Sequence, residues 1–337
     1  MQRLLTLVTL AVMGGLGFLF LKEGGLDSII VTPSATEPQT AQVDAGGNQS
    51  SGETSTLPQS TGKDDTAKTI RIASFNIQIF GDKKASKPYV MNELAKIVRS
   101  FDVVAIQEIR SKNQYLIPNF VKQINQPGRR FSHVIGERLG YTNVKEQYAY
   151  IFDTERIDID YQSVYTVGDP DGMLHRPPYV ATFRTRGVDP DNAFTFTLVN
   201  THTDPDEVPE ELAALAEVYR VVRRSGRGED DIILLGDLNT DDRNMGRLGQ
   251  LPSISPLISG VWTNTRQTQL YDNLVIHRPS TTEYTGRSGV YNIEREHKLS
   301  REQALQVSDH FPVWAEFSIY ERDAAGRVAS HRQNAKR

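Results

Sequence analysis

Residues 232–239 read Ile-Ile-Leu-Leu-Gly-Asp-Leu-Asn, an apolar run that ends in an acid and an amide. A short, continuous run of branched apolar residues is typical of a strand buried on both faces. Burying Asp237 and Asn239 without partners would cost several kcal/mol, so we expect a metal, a phosphate or a histidine beside them. The stretch predicts a core strand with a functional site at its C-terminal end.

Similar apolar runs, rich in β-branched and aromatic residues, recur on both sides of this strand. The predicted strands are 70–80, 103–109, 148–152, 179–184, 194–201, 232–238, 270–277 and 311–319. Two stretches, 90–101 and 212–222, have apolar residues at helical spacing instead. Since strands outnumber helices and the helices lie between strands, the predicted fold is of the α/β (α+β) class. We expect a four-layer sandwich of two packed, mainly antiparallel β-sheets flanked by helices.

The two ends of the chain differ from this central part. Residues 4–21 carry no charged side chain, and a helix of that length spans roughly 27 Å, close to the thickness of a hydrocarbon core. We interpret 1–23 as a membrane anchor, with a cleaved signal segment as the alternative. Residues 24–68 are predicted to be a disordered linker, 69–320 the catalytic domain and 321–337 a disordered tail. The catalytic domain is then expected in the periplasm or outside the cell.

Composition limits the kinds of site that this chain can build. It has no cysteine and a formal net charge of -4 at pH 7. The lack of cysteine excludes disulfides, thiolate zinc sites and cysteine nucleophiles. A protein that coats nucleic acid by bulk positive charge has a basic balance instead. Any binding of nucleic acid is therefore expected through a local basic patch and metal ions.

Four more polar fragments lie within predicted strands or next to their ends. They are centred on Asn76, Glu108, His202 and the adjacent pair Asp309 and His310. Alone, each fragment has an ordinary structural explanation at a turn, a surface or a hydrogen-bonded strand end. Together they offer oxygen ligands of the kind Mg²⁺ prefers, whereas zinc favours more nitrogen or sulfur. Two imidazoles, which titrate near neutral pH, can supply a base and an acid.

In this order, the fragments resemble the endonuclease/exonuclease/phosphatase superfamily, and within it the deoxyribonuclease I family. Residues 75–81 (Phe-Asn-Ile-Gln-Ile-Phe-Gly) and 107–110 (Gln-Glu-Ile-Arg) are similar to its opening strand and its metal-binding strand. The other matching segments are 139–140, 145–148, 201–203, 236–239, 271–272 and 308–312. The resemblance covers about residues 70–318 and implies a deoxyribonuclease I-like fold.

The resemblance also implies a role for each matching residue. Those assigned to catalysis are His202, His310, Glu146, Asp272, Asp237 and Asn239. Within this group Glu146 orients His202 and Asp272 orients His310, while the choice of base and acid between the two histidines stays open. Arg110 and Arg176 are implied to grip phosphate, and Glu108, Asn76 and Asp309 to hold the metal. The implied cofactor is Mg²⁺, with Mn²⁺ as a substitute and structural Ca²⁺ left open.

These observations predict a metal-dependent phosphodiesterase that cuts DNA with low sequence specificity. The expected partners are DNA as substrate and a membrane through residues 4–21, and we expect a monomer. One alternative is a phosphoesterase of the same superfamily that acts on a lipid or inositol phosphate. Another is a non-catalytic surface-binding protein. Val144 stands where the family has an aromatic residue in its DNA-contacting loop, which leaves room for a substrate other than DNA.

Overall fold

The computed structural model describes residues 68–141, 145–225 and 228–322. The predicted anchor or signal segment, all but the last residue of the predicted linker, Val144 and most of the predicted tail lie outside these ranges. None of the described helices is long and apolar enough to cross a membrane.

The described residues form strands interspersed with helices, and several strands follow one another directly. The strands are β1 (Thr69–Phe80), β2 (Val103–Ile109), β3 (Phe131–Ile135), β4 (Gln147–Asp153), β5 (Ile157–Thr166), β6 (Tyr179–Thr185), β7 (Thr195–His202), β8 (Ile232–Asp237), β9 (Ile254–Pro256), β10 (Asp272–His277), β11 (Tyr284–Val290) and β12 (Val313–Ser318). The helices are α1 (Asp82–Ala85), α2 (Pro88–Val98), α3 (Leu116–Asn125), α4 (Val208–Arg224), α5 (Gly246–Gly249), α6 (Ile293–His297) and α7 (Arg301–Val307).

The strands assemble into two six-stranded sheets. The first has the order β11-β12-β1-β2-β4-β3 and the second the order β5-β6-β7-β8-β10-β9. Each sheet has one parallel pair near its middle, β1 with β2 and β7 with β8. The other pairs are antiparallel.

Three apolar clusters hold the layers together. The central cluster lies between the sheets and includes Tyr150, Phe183, Phe196 and Leu235. A second cluster joins the outer face of the first sheet to α2, α3 and α7, and a third joins the second sheet to α4 and α5. The predicted four-layer sandwich of mainly antiparallel sheets is confirmed, because apolar strand faces are covered on both sides.

The two parallel pairs decide where the functional side chains meet. Parallel strands end at the same edge of a sheet, so the C-terminal ends of β1 and β2 lie together, as do those of β7 and β8. The approach of β8 to β7 requires glycine at position 236, where a Cβ would lie 1.8 Å from the carbonyl oxygen of Thr201. This close pairing sets His202 directly beside Asp237.

All eight predicted strands and both predicted helices are present, with ends shifted by a few residues. Strands β3, β5, β9 and β11 and helices α1, α3, α5, α6 and α7 were not predicted. Strand β11, Tyr-Thr-Gly-Arg-Ser-Gly-Val, contains two glycines and lies partly exposed at a sheet edge, so its pairing with β12 rather than its own residues defines it. Strand β5 is polar in its exposed middle, where its register against β6 is interrupted.

Candidate active site

Two histidine–carboxylate pairs face each other at the C-terminal ends of the central strands. Nδ1 of His202, at the end of β7, lies 2.9 Å from Oε2 of Glu146. Nδ1 of His310 lies 2.9 Å from Oδ2 of Asp272, the first residue of β10. Because a carboxylate only accepts, each Nδ1 carries the hydrogen, and each Nε2 is directed away from its carboxylate.

One carboxylate oxygen lies between the two imidazoles. Oδ2 of Asp237 is 3.7 Å from Nε2 of His202 and 3.6 Å from Nε2 of His310. The same oxygen accepts a hydrogen bond of 3.0 Å from Nδ2 of Asn76. The strand register explains this convergence, since both His202 and Asp272 are paired with Asp237 across the sheet.

Glu146 joins the His202 pair to two arginines. NH2 of Arg110 lies 2.7 Å from Oε1 of Glu146 and 3.0 Å from Oε2 of Glu108, so one guanidinium connects two carboxylates. Arg176 is buried, and its Nε donates to the carbonyl oxygen of His202. Its NH2 group makes no hydrogen bond among the described residues but lies 3.8 Å from Oδ2 of Asp204, so the guanidinium is held between carboxylates.

These contacts set the charge of both pairs. Burial opposes ionisation of Glu146, but hydrogen bonding to His202 and the nearby charges lower the pKa of its carboxyl to about 2. Burial likewise disfavours the charged form of His310, yet the charges of Asp272 and Asp237 raise the pKa of its imidazole to about 10. The hydrogen bond that His202 donates to Glu146 and the charge of Asp237 also overcome burial and raise the pKa of His202.

The three predicted metal ligands form a further set of contacts, which reaches Asp237 through Asn76. Nδ2 of Asn76 donates to Oε1 of Glu108 at 3.1 Å, while the amide oxygen of Asn76 accepts from the backbone N–H of Gln78. Oδ2 of Asp309 accepts from Nε2 of Gln78 at 2.8 Å. The structure therefore brings these residues together, with the nitrogen rather than the oxygen of Asn76 directed at the carboxylates. A metal-ligating role for Asn76 stays a prediction.

The donor set fits a divalent cation. Oδ1 of Asp309 is buried and has no hydrogen-bond partner among the described residues. Carboxylate oxygens from Glu108 and Asp309 are hard ligands of the kind Mg²⁺ takes. A second group of potential ligands, Asp237, Asp272 and His310, lies within 4.8 Å in the same cleft. Glu108 has a positive φ of 60°, which turns the end of β2 toward β1.

Asn239 is the remaining residue assigned to catalysis, and Tyr141 is an aromatic residue three positions before Val144. Asn239 has a positive φ of 48°, and its side-chain nitrogen donates to the carbonyl oxygen of Thr203 at 2.9 Å. Its backbone N–H donates to Oδ1 of Asp237. The Tyr141 side chain is exposed, with its hydroxyl on the carbonyl oxygen of Leu174.

Sequence reasoning missed several residues that support the site. Gln78 and Ile79 both have positive φ, a conformation that no pattern in the opening strand indicates. Nζ of Lys84 donates to the carbonyl oxygens of Ile77 and Val307, and burial lowers the pKa of this amine to about 8. The Thr263 hydroxyl accepts from the backbone N–H of Asp272 at 3.1 Å. Of these residues, Lys84 had a sequence signal, because it is a lysine four residues after the predicted strand 70–80.

The sandwich of two sheets and the paired imidazoles at its edge define a hydrolase. The chain belongs to the endonuclease/exonuclease/phosphatase family, whose model matches residues 73–310. Within that family it is deoxyribonuclease I-like, as the order of its motifs predicted.

Two relatives illustrate this similarity. Deoxyribonuclease gamma of Rattus norvegicus is 30% identical over 266 residues, which cover 73% of this chain and 84% of that protein. Deoxyribonuclease-1-like 1 of Sus scrofa is 31% identical over 265 residues, covering 75% of this chain and 82% of that protein.

Solved structures with the same fold are more distant in sequence. The human nocturnin catalytic domain with bound sulfate has a TM-score of 0.51 at 11% identity and covers 75% of this chain and 95% of its own. A functionally unknown conserved protein from Enterococcus faecalis has a TM-score of 0.50 at 16% identity, covering 75% and 100%. These two likenesses concern the fold alone.

Proposed function

We propose that this protein is a divalent-metal-dependent endodeoxyribonuclease that hydrolyses DNA with low sequence specificity. The observation that carries the proposal is the placement of two imidazole Nε2 atoms, 3.7 and 3.6 Å from one carboxylate oxygen of Asp237. Hydrolysis of a phosphodiester needs a base for the attacking water and an acid for the leaving oxygen, on opposite sides of the phosphorus. The facing histidines supply both.

The carboxylates of Glu146 and Asp272 orient the two histidines for acid–base catalysis. Glu146 and Asp272 hold the Nδ1 hydrogens of His202 and His310, so each Nε2 faces the scissile phosphate. One imidazole takes the proton of the water while the other donates a proton to the leaving oxygen. Asp237 and Asn239 contact the phosphate or its metal from the end of β8.

Glu108 and Asp309 hold the cation, and Asn76 fixes the Glu108 carboxylate by its 3.1 Å hydrogen bond. A bound Mg²⁺ supplies a positive charge that stabilises the pentacoordinate transition state, and Mn²⁺ substitutes for it. Gln78 orients Asp309 through its own hydrogen bond of 2.8 Å. Oδ1 of Asp309, which accepts no hydrogen bond among the described residues and lies 3.8 Å from Nε2 of His310, supports this ligand assignment.

DNA as substrate is supported by the names of the relatives and by the two arginines. The guanidinium groups of Arg110 and Arg176, which both contact Glu146, have the planar donor geometry that suits phosphate oxygens. Contacts to phosphates carry no direct sequence information, so cutting with low sequence preference follows.

The location of the enzyme rests on sequence alone. Residues 4–21 anchor the protein in a membrane and leave residues 69–320 exported, as a monomer on a polar tether. Secretion after cleavage of the same segment is the alternative. Fractionation of cells that express the full chain separates the two, because only the anchored form remains with the membrane.

The test of catalysis uses supercoiled plasmid, Mg²⁺ and the full-length protein, with and without chelator. We expect nicking that chelator abolishes. His202→Ala and His310→Ala should each slow it by about 10²–10⁴-fold, the usual contribution of a general acid or base. The control is His277→Ala, at the end of β10 away from Asp272, which should nick like the wild type.

Two outcomes would overturn the proposal in different ways. If the wild type leaves plasmid intact with Mg²⁺ and Mn²⁺ yet hydrolyses a phospholipid or an inositol phosphate, DNA is the wrong substrate. If both histidine variants nick as fast as the wild type, the assignment of the site is wrong.

A further inference from the structure

A second group of buried carboxylates lies at the opposite end of β8 from the candidate active site. Asp231 comes directly before β8, Glu283 directly before β11 and Glu321 shortly after β12. Each offers a carboxylate oxygen, and these oxygens lie within 4.8 Å of one another. Their side chains are 0%, 0% and 5% exposed. Three acids are thus packed together out of water.

The carboxylate of Asp231 is the member of this group whose hydrogen bonding is least satisfied by the described residues. Both of its carboxylate oxygens are buried without a hydrogen-bond partner among the described residues. Its backbone is well anchored, since its N–H donates to Oε1 of Glu229 and its carbonyl oxygen accepts from Thr197. The side chain is therefore held in place among acids. Leaving a buried carboxylate without donors costs several kcal/mol, so something else must compensate it.

The surroundings offer further oxygens to a ligand. Beside Asp231 lies the buried hydroxyl of Thr281, which makes no hydrogen bond of ordinary geometry among the described residues but is close enough to lower the pKa of the Asp231 carboxyl. Glu229 lies on the other flank. Calcium takes six to eight such oxygens at roughly 2.3–2.6 Å, so two ligands on opposite sides of it are up to about 5 Å apart. The observed spacing of the carboxylates matches this range.

We propose that Asp231, Glu283 and Glu321 form a structural Ca²⁺ site that ties the two sheets together at the pole opposite the catalytic cleft. Ca²⁺ fits better than Mg²⁺, because a buried all-oxygen cage leaves little room for the waters that Mg²⁺ retains. Asp231 adjoins a strand of the second sheet, whereas Glu283 and Glu321 flank β11 and β12 of the first. A cation there joins three points far apart in the chain.

The competing explanation is that protons rather than a cation neutralise the group. Without a cation, burial and the charges of Glu229 and the two other acids raise the pKa of Asp231 to about 11. A shared-proton cluster needs no metal and gains nothing from calcium. The two explanations therefore differ in the response of stability to Ca²⁺.

The test uses full-length protein stripped with chelator, returned to metal-free buffer without Mg²⁺ and then melted with and without CaCl₂. At about a hundredfold excess over the dissociation constant, Ca²⁺ should raise the melting temperature by roughly 5–10 °C. Asp231→Asn should abolish this shift. Glu108→Gln, which alters the candidate catalytic metal site only, should keep it. Calorimetric titration should show one calcium site lost in Asp231→Asn.

Glu321→Gln serves as the second variant in case Asp231→Asn does not fold, and it too should lose the shift. An equal shift in the wild type and in both carboxylate variants overturns the proposal, as does the absence of a shift in the wild type. If Asp231→Asn melts above the wild type and neither responds to Ca²⁺, the shared-proton explanation is correct instead. Since none of these readouts is activity, the result is independent of the proposed nuclease function.

Discussion

The two ends of strand β8 carry one buried aspartate each, but their surroundings differ in charge. At the C-terminal end, Oδ2 of Asp237 accepts from Asn76 at 3.0 Å and lies between the Nε2 atoms of two imidazoles. At the other end, Asp231 lies beside other acids, and neither of its oxygens has a hydrogen-bond partner among the described residues. Burial alone therefore does not distinguish the two sites.

This difference shows two ways to accommodate buried carboxylates. At the candidate active site the chain compensates the buried negative charges largely with its own cations. Arg110 and Arg176 contact Glu146, and each carboxylate of the two pairs is hydrogen-bonded to a histidine. At the other pole the side chains that act most strongly on Asp231 are acids and a threonine, and the proposed Ca²⁺ supplies the compensation there. The first end keeps groups that can exchange protons, whereas the second is suited to holding a metal permanently.

The largest expected effect is the loss of activity in Asp237→Asn. Its carboxylate oxygen is shared by both imidazoles and Asn76, so replacing it removes the charge at the centre of the cleft. We expect nicking in single-turnover assays to slow by about 10²–10⁴-fold. The same variant should keep the calcium-dependent melting shift, which separates the two ends of β8. A loss of nicking smaller than tenfold would contradict a central role for Asp237.

Next in size is the pH-dependent stability that Glu146 contributes. Because the folded pKa of its carboxyl is lowered from 4.5 to about 2, the contribution is complete above about pH 4.5 and is lost as pH falls toward 2. Glu146→Gln should therefore be less stable than the wild type at pH 7, by on the order of 3 kcal/mol. The difference should shrink between pH 4.5 and 2.

Urea denaturation at a series of pH values measures this difference. A gap between the two proteins that stays constant down to pH 2, or that widens on acidification, would show that the arginines and His202 do not stabilise the charged carboxylate. Glu302→Gln, at a fully exposed position in the first turn of α7, is the matched control.

The smallest effect is expected from Gln78→Leu. The substitution keeps the bulk of the side chain but removes the 2.8 Å hydrogen bond to Asp309. Loss of a residue that orients a metal ligand typically weakens metal affinity by about 10–100-fold. We expect the Mg²⁺ concentration for half-maximal nicking to rise by about tenfold, with a smaller change in rate at saturating Mg²⁺. Gln114→Leu, at an exposed glutamine, should leave the Mg²⁺ requirement unchanged, and an unchanged requirement in Gln78→Leu would exclude this role.

The central strands could be predicted because strands buried on both faces consist mainly of apolar residues. The run before Asp237 is apolar on both faces, and it lies with sheets or helices on either side. Edge strands such as β11 were missed because partial exposure permits glycine and polar residues there. The turn at Gln78 and Ile79 was also missed, since positive φ in these residue types is imposed by the packing of β1 against β2 and Asp309.

The sequence by itself determined the layered α/β class and the inventory of acids, amides and histidines at strand ends, because periodicity and composition report local burial. Its resemblance to a known family added the expected partners of the histidines. Only the tertiary structure decided that Glu146 meets His202 from 56 residues away and that Asp231 meets Glu283 and Glu321. Contacts between distant residues depend on how two twisted sheets stack, and no single segment encodes that geometry.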